Sequence, residues 1–178
     1  MSNETAILAG GCFWCLEAAY EQVQGVTEVV SGYTGGSVVD PSYQAVCTGT
    51  TGHAEAVKVT YDADSVSFRE LLELFFTLHD PTTLNRQGPD VGTQYRSVVF
   101  YRSAEQEGIA REVIDEVTTR GAWPNPIVTE VLPDAAFYEA EDYHREYYRR
   151  NAGQPYCQIV IAPKIAKLRQ EWLKLLRS

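Results

Sequence analysis

Basic residues are scarce in this chain. Fifteen lysines and arginines stand against 24 aspartates and glutamates, for a net charge of −9. That deficit argues against nucleic acid as a partner, because phosphate contact draws on clustered cations. The basic clusters that exist are Arg145 with Arg149 and Arg150, then Lys164, Lys167, Arg169, Lys174 and Arg177. Both alternate with apolar residues and read as solvated helix faces. No apolar run reaches the length needed to span a membrane. The start, Met1-Ser2-Asn3-Glu4, lacks the basic segment of a secretory leader, so a cytoplasmic protein is expected. Neither a second Cys-x-x-Cys nor a His-x-His pair is present, which leaves a zinc site without half its ligands.

Against these absences stand four cysteines in a chain expected to live in a reducing compartment. Two of them form one compact unit, Gly11-Cys12-Phe13-Trp14-Cys15, directly after the apolar run Ala6-Ile7-Leu8-Ala9. In such a setting a Cys-x-x-Cys is redox-active or metal-binding more often than structural. Leu16, Ala19, Tyr20 and Val23 keep helical spacing, so Cys12 falls at a strand-to-helix junction. Free backbone N–H groups at a helix start favour an anion, here a thiolate. At i and i+3, Cys12 and Cys15 share a helix face, near enough for a disulfide after local adjustment. Two buried thiols packing as small apolar residues are the ordinary alternative.

With 178 residues, 44% of them hydrophobic and 11% aromatic, the chain has the means for one domain with a real core, covering residues 1–178. Strands are predicted at Thr5 to Ala9, Val26 to Tyr33, Ala54 to Tyr61 and Arg96 to Tyr101. Helices are predicted from Cys12 to Gln22, from the capping box Ser67-Phe68-Arg69-Glu70, and from Ser103 to Gly121. That order is the order of a ferredoxin-like, split βαβ sheet in an α+β domain. Further pieces follow: a strand at Ile127 to Val131, a helix near Glu139 to Arg149, a strand at Gln158 to Ile161, and a C-terminal helix from Pro163. Two long stretches, Thr34 to Gly52 and Asp80 to Tyr95, lack periodicity and are suited to wall a site.

Other candidate residues carry weaker signals. Glu55, in Gly52-His53-Ala54-Glu55, is either a solvated strand-edge residue or a general acid whose proton is held by an apolar pocket. His53 reads as a structural hydrogen-bonder. Asp90 lies in Gln87-Gly88-Pro89-Asp90-Val91-Gly92-Thr93-Gln94-Tyr95, either as a cleft residue or as a turn cap. Tyr43, Tyr95 and Tyr156, each taken alone, read as packing aromatics with wet hydroxyls. Cys47 reads as a packed core thiol, and Cys157 opens the apolar run Gln158-Ile159-Val160-Ile161.

Taken together, the motifs resemble the A-type peptide methionine sulfoxide reductases. The matching stretches are Gly11-Cys12-Phe13-Trp14, Gly32-Tyr33-Thr34-Gly35-Gly36, Pro41-Ser42-Tyr43 and Thr51-Gly52-His53-Ala54-Glu55-Ala56-Val57. They continue with Gln87 through Ser97, Glu139-Ala140-Glu141-Asp142-Tyr143-His144 and Pro155-Tyr156-Cys157. The resemblance implies Cys12 as nucleophile on the sulfoxide sulfur and Glu55 as proton donor to its oxygen. Tyr43 and Tyr95 would bond that oxygen, Phe13 and Trp14 would hold the S-methyl group, and Asp90 would support the site.

Cys12 would become a sulfenic acid, which a second thiol converts to a disulfide. The implied substrate is the S epimer of methionine sulfoxide, free or in proteins, and the implied reductant is thioredoxin. No cofactor or metal is implied, and a monomer is expected. One departure matters. Many members have Gly where Cys15 stands and resolve through a cysteine in a flexible tail, whereas Cys157 here enters a predicted strand. Cys15 is therefore the expected resolving residue and Cys157 the second choice, with a relay through both still open.

Overall fold

The computed structural model describes residues 2–177. Its chain runs β1 (Asn3–Ala9), α1 (Phe13–Tyr20), β2 (Val26–Thr34), α2 (Tyr43–Cys47), β3 (Ala54–Asp62), α3 (Phe68–Leu78), β4 (Arg86–Gln87) and β5 (Asp90–Val91). It continues β6 (Val98–Tyr101), α4 (Ala104–Thr119), β7 (Glu130–Pro133), β8 (Phe137–Glu139), α5 (Tyr147–Arg150) and α6 (Ala162–Glu171). The architecture is α+β. A six-stranded mixed sheet has the order β7-β6-β1-β3-β2-β8, with β4 and β5 forming a separate small hairpin. Strands β6, β1, β3 and β2 pair antiparallel, so β3 lies between β1 and β2, the two strands that α1 connects. β7 joins the β6 edge in parallel, and β8 closes the β2 edge.

Alternation along β1 divides the core into two layers. Ala6 and Leu8 face one way and pack with Leu16, Ala19, Leu72, Phe75, Val113 and Leu168 from the helices. Ile7 and Ala9 face the other way, with Ala54, Ala56, Val98 and Phe100. This is the two-residue repeat of a strand buried on both faces. The helix starts are capped as the sequence predicts. Ser67 Oγ accepts from the Glu70 N–H at 3.0 Å while Glu70 Oε1 accepts from the Ser67 N–H at 3.0 Å. Ser103 Oγ accepts from the Gln106 N–H at 3.1 Å.

Four expectations need correction. The run Cys157–Ile161 is a π-helical segment leading into α6, not a strand. Its Ile-Val-Ile content suggested β structure, but a short apolar run does not distinguish strand from helix. The buried positions Cys157, Ile161, Ile165 and Leu168 follow helical spacing, and Ile159 is exposed. The helix expected near Glu139 to Arg149 is broken into the end of β8, a 3-10 turn at Asp142–His144, and α5. Glu146, in a left-handed conformation at φ 53°, separates the last two pieces. The strand expected at Ile127 to Val131 lies later, as β7. Cys47 ends α2 as an exposed thiol, not a core one.

Candidate active site

The chain turns out of β1 through Gly10 and Gly11. Gly11 has φ +91°, and a Cβ there would fall 2.6 Å from Gln87 Cγ. Only glycine fits that turn. The turn delivers Cys12 to the N-cap of α1 in extended conformation, its carbonyl accepting the Cys15 N–H at 3.1 Å. Cys12 and Cys15 are both buried and reduced, and each thiol shifts the proton affinity of the other.

Glu55, near the start of β3, is 1% exposed. Its Oε1 accepts the Phe13 N–H, the first amide of α1, at 3.1 Å. Burial pushes its carboxyl up to about 8, and nearby Asp90 and Cys15 add to that, while the Phe13 amide works against it. Glu55 therefore holds its proton at neutral pH.

The electrostatics of the two thiols differ from a simple helix-start picture. Burial raises the Cys12 thiol well above its ordinary value, and the neighbouring Cys15 thiol and the charge of Glu55 raise it further. Cys15 is lowered, first by the Cys12 thiol and then by Lys164, against the cost of its burial. The reason is one of scale. A helix N-terminus contributes typically about 0.3–1 kcal/mol, below the roughly 1.4 kcal/mol of one pKa unit, whereas full burial moves a thiol by more. In addition, the leading amide of α1 is bonded to Glu55 rather than to sulfur.

An aromatic wall surrounds the pair. Trp14 is half-buried, stacked on Tyr147 at 3.7 Å and 7°, with the Tyr156 ring edge-on at 5.8 Å. Its indole Nε1–H donates to His144 Nδ1 at 2.9 Å. An accepting Nδ1 places the proton of the neutral imidazole on Nε2, and burial keeps the ring neutral. Phe13 is fully buried and forms the inner layer, against Tyr33, Tyr43 and His144. Tyr43, first residue of α2, is positioned by Glu141, which accepts the Tyr43 N–H and the Tyr33 hydroxyl, each at 2.9 Å. Tyr95 ends a 3-10 turn, half-buried, and lies within the fields of Glu55, Cys47, Asp90 and Cys12. Burial raises the phenols of Tyr43 and Tyr95 well above their usual range, so both are available as hydrogen-bond donors.

Cys12, Cys15, Glu55, Phe13, Trp14, Tyr43, Asp90 and Tyr95, expected together from the sequence, thus converge on one site. Cys157 is fully buried at the head of the π-helical segment, where burial and the charge of Cys15 raise its thiol. Sequence reasoning gave no role to four further residues. Tyr156 donates to Asp90 Oδ2 at 2.6 Å, and Lys164 Nζ stands 4.0 Å from Cys15 Sγ. His144 and Glu141 brace the wall. The Glu139 to His144 motif was the available signal for those two. For Lys164 no local pattern existed.

A buried pair of thiols, a carboxylic acid that keeps its proton and a half-open aromatic wall define a thiol-dependent reductase site. Comparison with known proteins gives the class its family. The sequence matches the family described as peptide methionine sulfoxide reductase over residues 4–176, and the chain belongs to that family. It is 56% identical to the peptide methionine sulfoxide reductase MsrA of Deinococcus radiodurans over 99% of this chain and 85% of that one. The structure is similar to methionine sulfoxide reductase A of Corynebacterium diphtheriae, with TM-score 0.80, 37% identity, and 84% and 76% of the two chains covered. It is also similar to reduced Mxr1 from Saccharomyces cerevisiae, with TM-score 0.79, 36% identity, and 87% and 89% coverage. Mxr1 in complex with Trx2 matches at TM-score 0.56 and 25% identity, covering 82% and 84%. The chain is an A-type methionine sulfoxide reductase. No helix among the described residues is long and apolar enough to cross a membrane.

Proposed function

We propose that Cys12 attacks the sulfoxide sulfur while Glu55 protonates the sulfoxide oxygen. The observation that carries this reading is the protonated, buried Glu55 placed across the α1 start from Cys12. A sulfoxide sulfur is a poor electrophile until its oxygen is protonated or strongly hydrogen-bonded, and a carboxyl held to about 8 can do this at neutral pH. Tyr43 and Tyr95 donate to the same oxygen. Trp14, with Phe13 behind it, receives the S-methyl group, and Asp90, bonded to Tyr156, supports the wall from the β4–β5 hairpin.

Oxygen transfer turns the Cys12 thiol and the sulfoxide into Cys12 sulfenic acid and methionine. Cys15 then attacks the Cys12 sulfur. The S–O bond breaks, the S–S bond forms, and oxygen leaves as water with the two thiol protons, so Glu55 ends the cycle protonated. Cys15 is favoured as the resolving thiol because it sits in the same first helical turn, its N–H bonded to the Cys12 carbonyl, whereas Cys157 is packed inside a helix. It is this helical packing, not the pairing of a strand, that Cys157 would have to give up to reach Cys12. The charge of Cys15 does reach Cys157, which keeps a second exchange, Cys15 to Cys157, as the alternative relay.

Reductant and substrate complete the reading. The Mxr1–Trx2 complex supports thioredoxin as the external dithiol. The substrate is the S epimer, free or in proteins, and the enzyme works as a cytoplasmic monomer. The test is one turnover of the reduced protein on each sulfoxide epimer without external reductant, followed by thiol counting and peptide mapping. One methionine from the S epimer, with a Cys12–Cys15 bridge, is expected. A Cys12–Cys157 bridge overturns the choice of resolving thiol, and no methionine from either epimer overturns the catalytic roles.

A further inference from the structure

Lys164 is half-buried in the first turn of α6, and its Nζ stands 4.0 Å from Cys15 Sγ. Among the described residues, no carboxylate lies within 4.0 Å of that ammonium group. A lysine normally extends its head group to water. This one directs it at a buried thiol 149 positions away in sequence. Pro163 lies just before it in the first turn, and Ile165 and Leu168 anchor the same helix in the core, so packing fixes the point from which the side chain reaches.

We propose that Lys164 is the charge partner of Cys15, holding it as the thiolate that attacks Cys12 sulfenic acid. The inference rests on Cys15 being the resolving residue. In the step itself the Cys15 electron pair forms the S–S bond, and the S–O electron pair leaves with oxygen, which takes a proton from solvent to become water. Cys15 goes from thiolate to disulfide and the sulfenic sulfur is reduced. A nearby ammonium lets Cys15 shed its proton before the attack. The groups facing Cys15 otherwise offer no cation. Cys12, Glu55, Asp90, Tyr156 and Cys157 contribute only neutral or negative forms.

The physical chemistry of thiols gives this role a signature. Making an attacking thiol tenfold more basic cuts its thiolate fraction about tenfold at low pH. The more basic thiolate is intrinsically about threefold more nucleophilic, from a Brønsted slope near one half. For each tenfold gain in Cys15 basicity, losing Lys164 therefore slows bridge formation about threefold at low pH and speeds it about threefold at high pH. The two pH profiles cross.

The experiment follows bridge formation in full-length wild type, K164Q and K164R. Each protein is mixed with one equivalent of sulfoxide without reductant across a range from about pH 5.5 to about pH 9.5, wide enough to take a thiol from mostly protonated to mostly ionised. Dimedone traps the remaining sulfenic acid. A crossing profile for K164Q, restored by K164R, is the expected result. A K164Q profile that follows wild type at all pH values overturns the proposal while a mapped Cys12–Cys15 bridge leaves the resolving assignment standing. A uniform loss of rate in K164Q with no crossing also overturns it, as structural damage. A mapped Cys12–Cys157 bridge in wild type overturns both.

Discussion

The Phe13 amide, at the very start of α1, donates its hydrogen bond to Glu55 Oε1 rather than to the thiol beside it. This one contact ties the nucleophile's helix to the proton donor's strand. It also limits how far burial can lift Glu55, since it favours the ionised form. Burial prevails, and the carboxyl is held up to about 8.

The first prediction concerns that proton. Methionine release should be level from neutral pH downward on the Glu55 limb and fall above about pH 8, as Glu55 ionises. E55Q should lose activity by about 10²- to 10⁴-fold, the usual span for a general acid, and should lose the alkaline limb with it. Stability carries the same signature. The folded-state value is raised, so Glu55's contribution is complete below its unfolded value near 4.3 and is lost as pH rises to about 8. The loss is on the order of 5 kcal/mol between those limits. Denaturant melts at about pH 5 and about pH 9, either side of that window, should differ by less in E55Q than in wild type.

Asp90 offers a subtler test. Its charge is one of the groups that raises Glu55. Removing it in D90N should lower the Glu55 value and move the alkaline limb toward lower pH, by less than one unit for a secondary contributor. The same substitution weakens the 2.6 Å bond from Tyr156 by making it neutral, so the β4–β5 hairpin should exchange its amide protons faster. A limb that stays in place would remove Asp90 from the electrostatics of the acid.

Much of this site is legible in the sequence because its residues sit at element ends, where local rules are strong. Gly11 before Cys12 and the two long aperiodic loops announce themselves, whereas Glu55, Tyr43 and Tyr95 gain their roles only when the motifs are taken together. The Cys12 electrostatics are not legible there, because the competition between a helix start and burial depends on what covers the thiol, and that cover comes from other parts of the chain. The same holds for Cys157–Ile161. Its β-branched residues favour a strand locally, and packing of Ile161, Ile165 and Leu168 into the core makes it helical. Glu146 breaks the helix expected near Glu139 to Arg149, with its N–H bonded to Glu17 Oε1 at 2.9 Å, a partner 129 residues away that no window of sequence contains.

His144 should matter to substrate affinity without touching chemistry. It accepts the Trp14 indole N–H at 2.9 Å and leans on Phe13 at 5.0 Å and Tyr43 at 4.5 Å. H144F keeps an aromatic ring but leaves the half-buried indole N–H without its acceptor, while it also removes the buried, unpartnered His144 Nε2–H, so the net cost should stay at or below about 1 kcal/mol. The Trp14 ring then has only the Tyr147 stack to orient it. KM for a peptide sulfoxide should rise severalfold while the pH dependence set by Glu55 stays where it is. An unchanged KM would show that the stack on Tyr147 suffices.

The two candidate resolving thiols make opposite predictions when removed one at a time. C15S should release one methionine and then stall with Cys12 as a sulfenic acid that dimedone labels, because Cys157 is fully buried and must leave its helix to reach Cys12. C157S should close the bridge at close to wild-type speed in a single turnover. Its deficit, if Cys157 relays the disulfide, should appear only in multiple turnovers with a bulky protein dithiol, and should vanish when a small dithiol replaces it. The reasoning is steric. Cys12, Cys15 and Cys157 are all buried, so the relay serves a large reductant only where the new bridge loosens the π-helical segment that carries Cys157. Equal turnover of C157S with large and small reductants would mean that the Cys12–Cys15 bridge opens to the reductant directly, and would assign Cys157 to core packing alone.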